Sequence, residues 1–213
     1  VKNAAGFDTP KLMVGSLGRL GIITELTLKV FPRPPSTLTL RLPFDSHATA
    51  LTRLAALARG RFELDALDYQ PAERTLLIRL AGPADANAAL AREIGGTPVS
   101  CESLWPTLNA FAWAPPEHAL IKIPTTPNTA AGLITALAEI PHSRPHLTAA
   151  ANLLWISAPD TTALNRRLTD LAATGQVIRG PSPTLHLGPR GTSAVANSLH
   201  HVFDPLEKFS PLH

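Results

Sequence analysis

Apolar positions along this chain switch repeatedly between a spacing of two and a spacing near 3.6, and each switch marks an element. "TLTLRLPF" at 37–44 alternates as a strand does. "SHATALTRLAALARG" at 46–60 then sets leucines at helical spacing behind a serine cap and ahead of a terminal glycine. "FELDALDY" and "TLLIRLAG" read as an antiparallel pair around the turn "QPAER". After them come a helix "ADANAALAREIGG", a strand "HALIKIP", a helix "TAAGLITALAEIP" and a strand "AAANLLWISAP". A capped helix "DTTALNRRLTDLAATG", a strand "QVIRG" and a last helix "TSAVANSLHHVFDP" complete the pattern. The paired strands at 62–82 rule out a wholly parallel sheet. The expected fold is therefore α+β, ferredoxin-like in style, with a mixed or antiparallel sheet and helices on one face. The passages at 37–60 and 118–141 share a strand–helix order and suggest two related halves.

The opening segment has a different texture. Asp8 or Thr9 can cap a short helix, Pro10 suits its first turn, and Gly15 can end it. Gly15, Gly18 and Gly21 recur at every third position, and "IITELTLKVF" at 22–31 reads as a β-branched-rich strand. "PRPP" at 32–35 stops that strand, since proline cannot donate to a ladder. The domain boundary is expected there, with residues 1–35 as one part and 36–213 as the other.

Composition narrows the function classes. Apolar residues make up 45% and charged residues 16%, which suits a buried core rather than disorder. The net charge of +3 is too small and too scattered for nucleic acid, which is recognised by clustered Arg and Lys interleaved with aromatics. Cys101 is the chain's only cysteine, so no internal disulfide or sulfur-ligated cluster forms. No apolar run approaches the ~20 residues of a membrane-spanning helix, and no signal peptide is visible. His200 and His201 diverge on a helix, and Pro141 and Pro145 prevent a helix from aligning His142 with His146. No metal site is expected. Trp105, Trp113 and Trp155 are expected in the core.

"GSLGRLGII" is neither the dinucleotide fingerprint nor a phosphate loop, but spaced glycines offer bare backbone to a flat ligand. The whole opening, through Lys2, Asn3, Gly6, Phe7, Asp8, Leu12, Gly15, Ser16, Gly18, Leu20, Gly21, Thr24 and Glu25, resembles the end of the FAD-binding domain of vanillyl-alcohol-oxidase-type (PCMH-type) flavoproteins. Within that superfamily it looks most like the FAD-binding subunit of bacterial glycolate oxidase. The stretches "TLLIRLAG", "ALAREIGG", "LWPTLNAF" and "ALIKIPTTP" are similar to that subunit's cap region. Asp204, Pro205, Phe209 and Pro211 match the superfamily's closing motif, whereas Ser182 stands where the subunit has His.

The resemblance implies that residues 1–35 end an FAD-binding domain and that 36–213 form a substrate cap with a C-terminal tail. Leu17, Gly18, Leu20, Gly21, Ile22 and Ile23 would contact FAD, largely through backbone, with Lys2, Asn3 and Gly6 on the stretch leading past the flavin. The family's pyrophosphate loops come earlier in the domain and lie outside this sequence. The implied activity is oxidation of a small 2-hydroxy acid by hydride transfer to flavin, with electrons passed to a second flavin subunit and an iron–sulfur subunit. Arg179, His186 and Arg190 lie in the segment that such a cap would turn toward the flavin. There an Arg could grip the substrate carboxylate and His186 act as base. The alternative, which their sequence favours, is that all three are surface residues. The expected place is the cytoplasm, with the inner membrane face reached through partners. The isolated chain is expected to be inactive. The rival expectation is a non-catalytic docking module of such a complex that has lost tight flavin binding.

Overall fold

A computed structural model describes residues 8–100, 102–189 and 194–209. These divide into two compact units, split after Pro32 and after Pro189, so that the two terminal segments make one unit and the intervening chain the other.

In the terminal unit, α1 (Thr9–Met13) starts as the sequence predicts. The Asp8 carboxylate accepts from the Lys11 N–H at 3.2 Å, and Pro10 sits in the first turn. Residues 21–34, by contrast, adopt no regular secondary structure, so the strand expected over 22–31 does not form. Val30 and Phe31 are 80% and 85% exposed. A strand exists only through hydrogen bonds to a neighbour, and none of the described strands pairs with this segment.

The second unit runs β1 (Ser36–Pro43), α2 (His47–Arg59), β2 (Ala66–Gln70), β3 (Thr75–Gly82), α3 (Ala84–Ile94), β4 (Thr97–Val99) and α4 (Leu104–Asn109). It continues with β5 (Ala119–Pro124), α5 (Ala130–Leu137), β6 (Arg144–Thr148), β7 (Leu153–Ala158), α6 (Thr161–Asp170), β8 (Gly175–Arg179) and β9 (His186–Leu187). The last helix, α7 (Ala194–Phe203), belongs to the terminal unit. Serine and aspartate caps act where the sequence places them: Ser46 accepts from the Thr49 N–H, and Asp160 from the Thr162 N–H.

The strands form one sheet in the order β4-β1-β3-β2-β6-β7-β5-β8-β9, antiparallel at every pairing. Its first four strands trace a strand–helix–strand–strand–helix–strand path with β1 and β3 central. The path from β5 to β8 repeats that order in mirror sequence across the sheet. Each half is thus ferredoxin-like, and β1–α2 and β5–α5 are the equivalent passages that the sequence suggested. The halves meet where β2 pairs with β6 at Tyr69 and Leu147, each the fourth residue of its strand. A local pseudo-two-fold axis therefore passes through this seam.

Leu54 and Leu57 of α2, Ile134 and Leu137 of α5, and Leu164 and Leu168 of α6 pack with Leu40, Ile78, Ile121 and Ile156 of the sheet in one large core. Along β3 the alternation is complete. Leu76, Ile78 and Leu80 join that core, while Leu77 faces the other way and packs on Trp105 and Leu108 of α4. Most helices therefore cover one face of the sheet, and α4 covers part of the opposite, outer face.

Candidate functional site

The outer face collects the polar residues of the central strands. Strand alternation sends Asp68, Arg79, His146, Thr148 and Trp155 away from the large core. Register then sets one row across five strands: His146 opposite Trp155, Trp155 opposite Lys122, Lys122 opposite Gln176, and Gln176 opposite His186. Between this face, α4 and the chain that follows it lies a cavity of about 350 Å³. All three tryptophans of the chain line it, with Phe111, Asp68 and His146. Trp105 is in the small core, as expected. Trp113 and Trp155 are only half-buried, and their rings form the cavity wall.

Asp68 and His146 form a buried pair at the floor. His146 Nε2 lies 3.0 Å from Asp68 Oδ2, and the two residues are 4% and 7% exposed in the order His146, Asp68. Each is the third residue of its strand, so the pair straddles the pseudo-two-fold seam. An ionised carboxylate only accepts, so a neutral imidazole here carries its proton on Nε2 and presents Nδ1 as an acceptor. Nδ1 makes no hydrogen bond among the described residues. Since no fully buried side-chain nitrogen or oxygen there lacks a partner, Nδ1 opens onto the cavity. The Trp113 ring stacks on His146 at 5.5 Å and 26°. Phe111 leans on Trp155 at 4.5 Å.

The roof of the cavity is tied down by arginines. Arg144 donates to the Trp113 carbonyl at 3.1 Å, and Arg179 donates to the carbonyls of Phe111 and Ala114 at 3.3 and 3.2 Å. Arg79 pairs with Asp65 and lies over the Trp105 ring at 5.0 Å, while Trp105 Nε1 donates to Thr39 Oγ1. Of the residues singled out from the sequence, Arg179 thus braces the roof loop. His186 stands on β9 at the far end of the row from His146. Arg190, Lys2, Asn3 and Gly6 lie outside the described residues. Ser182 Oγ donates to the Thr184 carbonyl at 2.7 Å and shapes a local turn. The Asp68–His146 pair was missed because its partners are 78 residues apart. The available signal was an acid in the otherwise apolar "ALDY" and a histidine inside "RPHLT".

In the terminal unit, Leu17 and Gly18 take φ of 54° and 75°, and a Cβ at Gly18 would meet nothing within 4 Å. Here glycine meets a backbone requirement and leaves the peptide bare, since no neighbouring atom crowds it. Leu20 is buried, Ile22 and Ile23 are exposed, and His200 Nδ1–H donates to the Arg19 carbonyl at 3.2 Å. The tail is pinned by Asp204, whose carboxylate accepts from the Lys208 and Phe209 N–H groups at 2.8 and 2.7 Å. Burial raises the pKa of this carboxyl, but the Phe209 and Lys208 N–H groups outweigh it and hold the value below the ordinary one. Among the described residues no cluster of three or more His, Cys, Asp and Glu could hold a metal ion, and no helix is long and apolar enough to cross a membrane.

No protein-family model matches the chain. Glycolate oxidase subunit GlcE of Escherichia coli (strain K12) is 36% identical over 108 residues, which cover 51% of this chain and 30% of that protein. D-lactate dehydrogenase of Anaerostipes hadrus is 36% identical over 72 residues, 34% of this chain and 15% of its own length. Glycolate oxidase subunit GlcD of Escherichia coli (strain K12) is 34% identical over 100 residues, 44% of this chain and 20% of that protein. Over these stretches the chain is similar to glycolate oxidase subunits and D-lactate dehydrogenases. The matched stretch spans 30% or less of each of these relatives. Glycolate and lactate both carry a hydroxyl on the carbon next to a carboxylate, so the relatives' names share one substrate chemistry.

Proposed function

We propose that this chain is the C-terminal part of an FAD-linked oxidoreductase subunit of glycolate-oxidase type, acting on a 2-hydroxy acid. The observation that carries the reading is the shared substrate chemistry of relatives otherwise named as oxidase subunits and as dehydrogenases. Residues 1–35 would end an FAD-binding domain, and the sheet-bearing unit would serve as the substrate cap.

The glycine segment fits a flat cofactor. Its backbone takes positive φ at Leu17, Gly18 and Gly21, a Cβ at either glycine would meet nothing within 4 Å, and Ile22 and Ile23 offer exposed apolar surface beside it. Leu17, Gly18, Leu20, Gly21, Ile22 and Ile23 would hold FAD, with Lys2, Asn3 and Gly6 alongside. Bound FAD would supply the two-electron acceptor that oxidation of a hydroxy acid requires. This chain's own residues bind and orient. The aromatic rings line the cavity, Arg144 and Arg179 keep the roof loop in place, and the neutral His146 imidazole, donating its Nε2–H to Asp68, offers a hydrogen-bond acceptor. Partner subunits, a second flavin subunit and an iron–sulfur subunit, would take the electrons onward. The complex would work in the cytoplasm, with any membrane association made through those partners.

A second reading, a docking module without tight flavin binding, draws on the exposed run from Ile22 to Phe31. Its apolar side chains need other protein to cover them. The two readings separate on one test. Anaerobic addition of glycolate and D-lactate to the FAD-saturated full-length subunit should bleach the flavin absorbance, whereas a 3-hydroxy acid should leave it unchanged. Absence of bleaching with every 2-hydroxy acid tried, alongside intact flavin binding, would remove the oxidoreductase reading.

A further inference from the structure

The cavity on the outer face is large and aromatic for an acid of two carbons. Its volume of about 350 Å³ falls within the range of drug-sized ligand pockets, ~300–1,000 Å³. Four of its walls are the rings of Trp105, Trp113, Trp155 and Phe111. Such rings recognise planar apolar groups by stacking and edge contact, and glycolate has no such group to offer. The polar features are few and differ in kind. His146 Nδ1 is an acceptor facing the cavity, fixed by Asp68 behind it. Lys122 lies next to the wall, directly opposite Trp155 in the strand register. Its side chain is half-buried, and it has no hydrogen bond or ion pair among the described residues. Lys122 is not itself part of the cavity lining, but an ammonium without a counter-ion on the neighbouring strand is a binding point for an anion that extends from the cavity.

We infer that this cavity takes a 2-hydroxy acid with a bulky planar apolar side chain, of the phenyllactate class. Its ring lies among the tryptophans, its hydroxyl donates to His146 Nδ1, and its carboxylate pairs with Lys122. The inference rests on the 2-hydroxy-acid reading above and specifies which member of that class the site selects. Lys122, rather than Arg179, is the carboxylate partner, because the Arg179 guanidinium is committed to the carbonyls of Phe111 and Ala114.

All the tryptophans of the chain line this one cavity, so intrinsic fluorescence reports on it directly. The full chain is titrated with phenyllactate, with glycolate, and with 3-phenylpropionate, which lacks the hydroxyl. Saturable quenching is expected for phenyllactate, with an affinity about ten-fold or more above that for glycolate, the value of burying one aromatic ring. Phenylpropionate should bind more weakly than phenyllactate, and His146→Phe, which has no acceptor, should abolish that difference. Lys122→Met should weaken phenyllactate by about ten-fold while leaving the far-ultraviolet circular dichroism and the melting temperature unchanged. Glycolate binding as tightly as phenyllactate would overturn the inference and leave the 2-hydroxy-acid reading intact. Absence of quenching by any of the three, or a Lys122→Met variant with unaltered binding, would also overturn it. The flavin-bleaching test reports on the broader reading independently.

Discussion

Tyr69 is the chain's one tyrosine and is fully buried on β2, its hydroxyl paired with His47 Nδ1 at 2.6 Å. Burial pushes its pKa up from 10.0 to about 12, against a smaller opposing pull from Arg74. The folded value is thus raised above the unfolded one, so the stabilisation is fully present below pH 10 and is lost as pH rises toward about 12. Thermal melts across that interval should show a falling melting temperature, with phenolate absorbance appearing only as the protein unfolds. Tyr69→Phe should flatten this alkaline dependence. Sequence alone could not separate such residues from their neighbours. His142 and His146 were weighed together because they are four apart, yet His142 sits in a turn at φ 58° and His146 on a strand. The buried partner of His146 comes from the other half of the sheet, beyond any local spacing rule.

Elements were legible where one face is buried and the other wet. Helix α2 carries its cap, its leucine stripe and its stop within "SHATALTRLAALARG". Strand β6 was missed because Pro141 and Pro145 precede His146. It tolerates Pro145 at a seam where pairing to β2 is a single residue pair. The strand expected over 22–31 shows the converse limit, since alternation reveals the capacity to pair and not the presence of a partner. Burial sets the consequence of truncation. Leu54→Ala, at a fully buried position of α2, should destabilise the sheet-bearing unit by about 2–5 kcal/mol in a denaturant melt. Leu28→Ala, at a position 70% exposed, should fall within about 0.5 kcal/mol of the parent.

For the whole molecule, the two ferredoxin-like halves explain why the site lies where it does. A pseudo-two-fold axis brings equivalent positions of β2 and β6 together, and an acid from one half meets a base from the other on the only sheet face that the main helix layer leaves free. The proposal that the opening glycines contact FAD rests on their resemblance alone, and nothing in the pattern of apolar residues could have joined Asp68 to His146 or gathered every tryptophan into one wall. The account stands most directly on flavin. Titrating the purified chain with FAD, followed by flavin fluorescence and by the visible spectrum after desalting, should show saturable binding near micromolar, about −8 kcal/mol. A folded, colourless chain that leaves flavin fluorescence unchanged would contradict the assignment of the glycine segment to FAD.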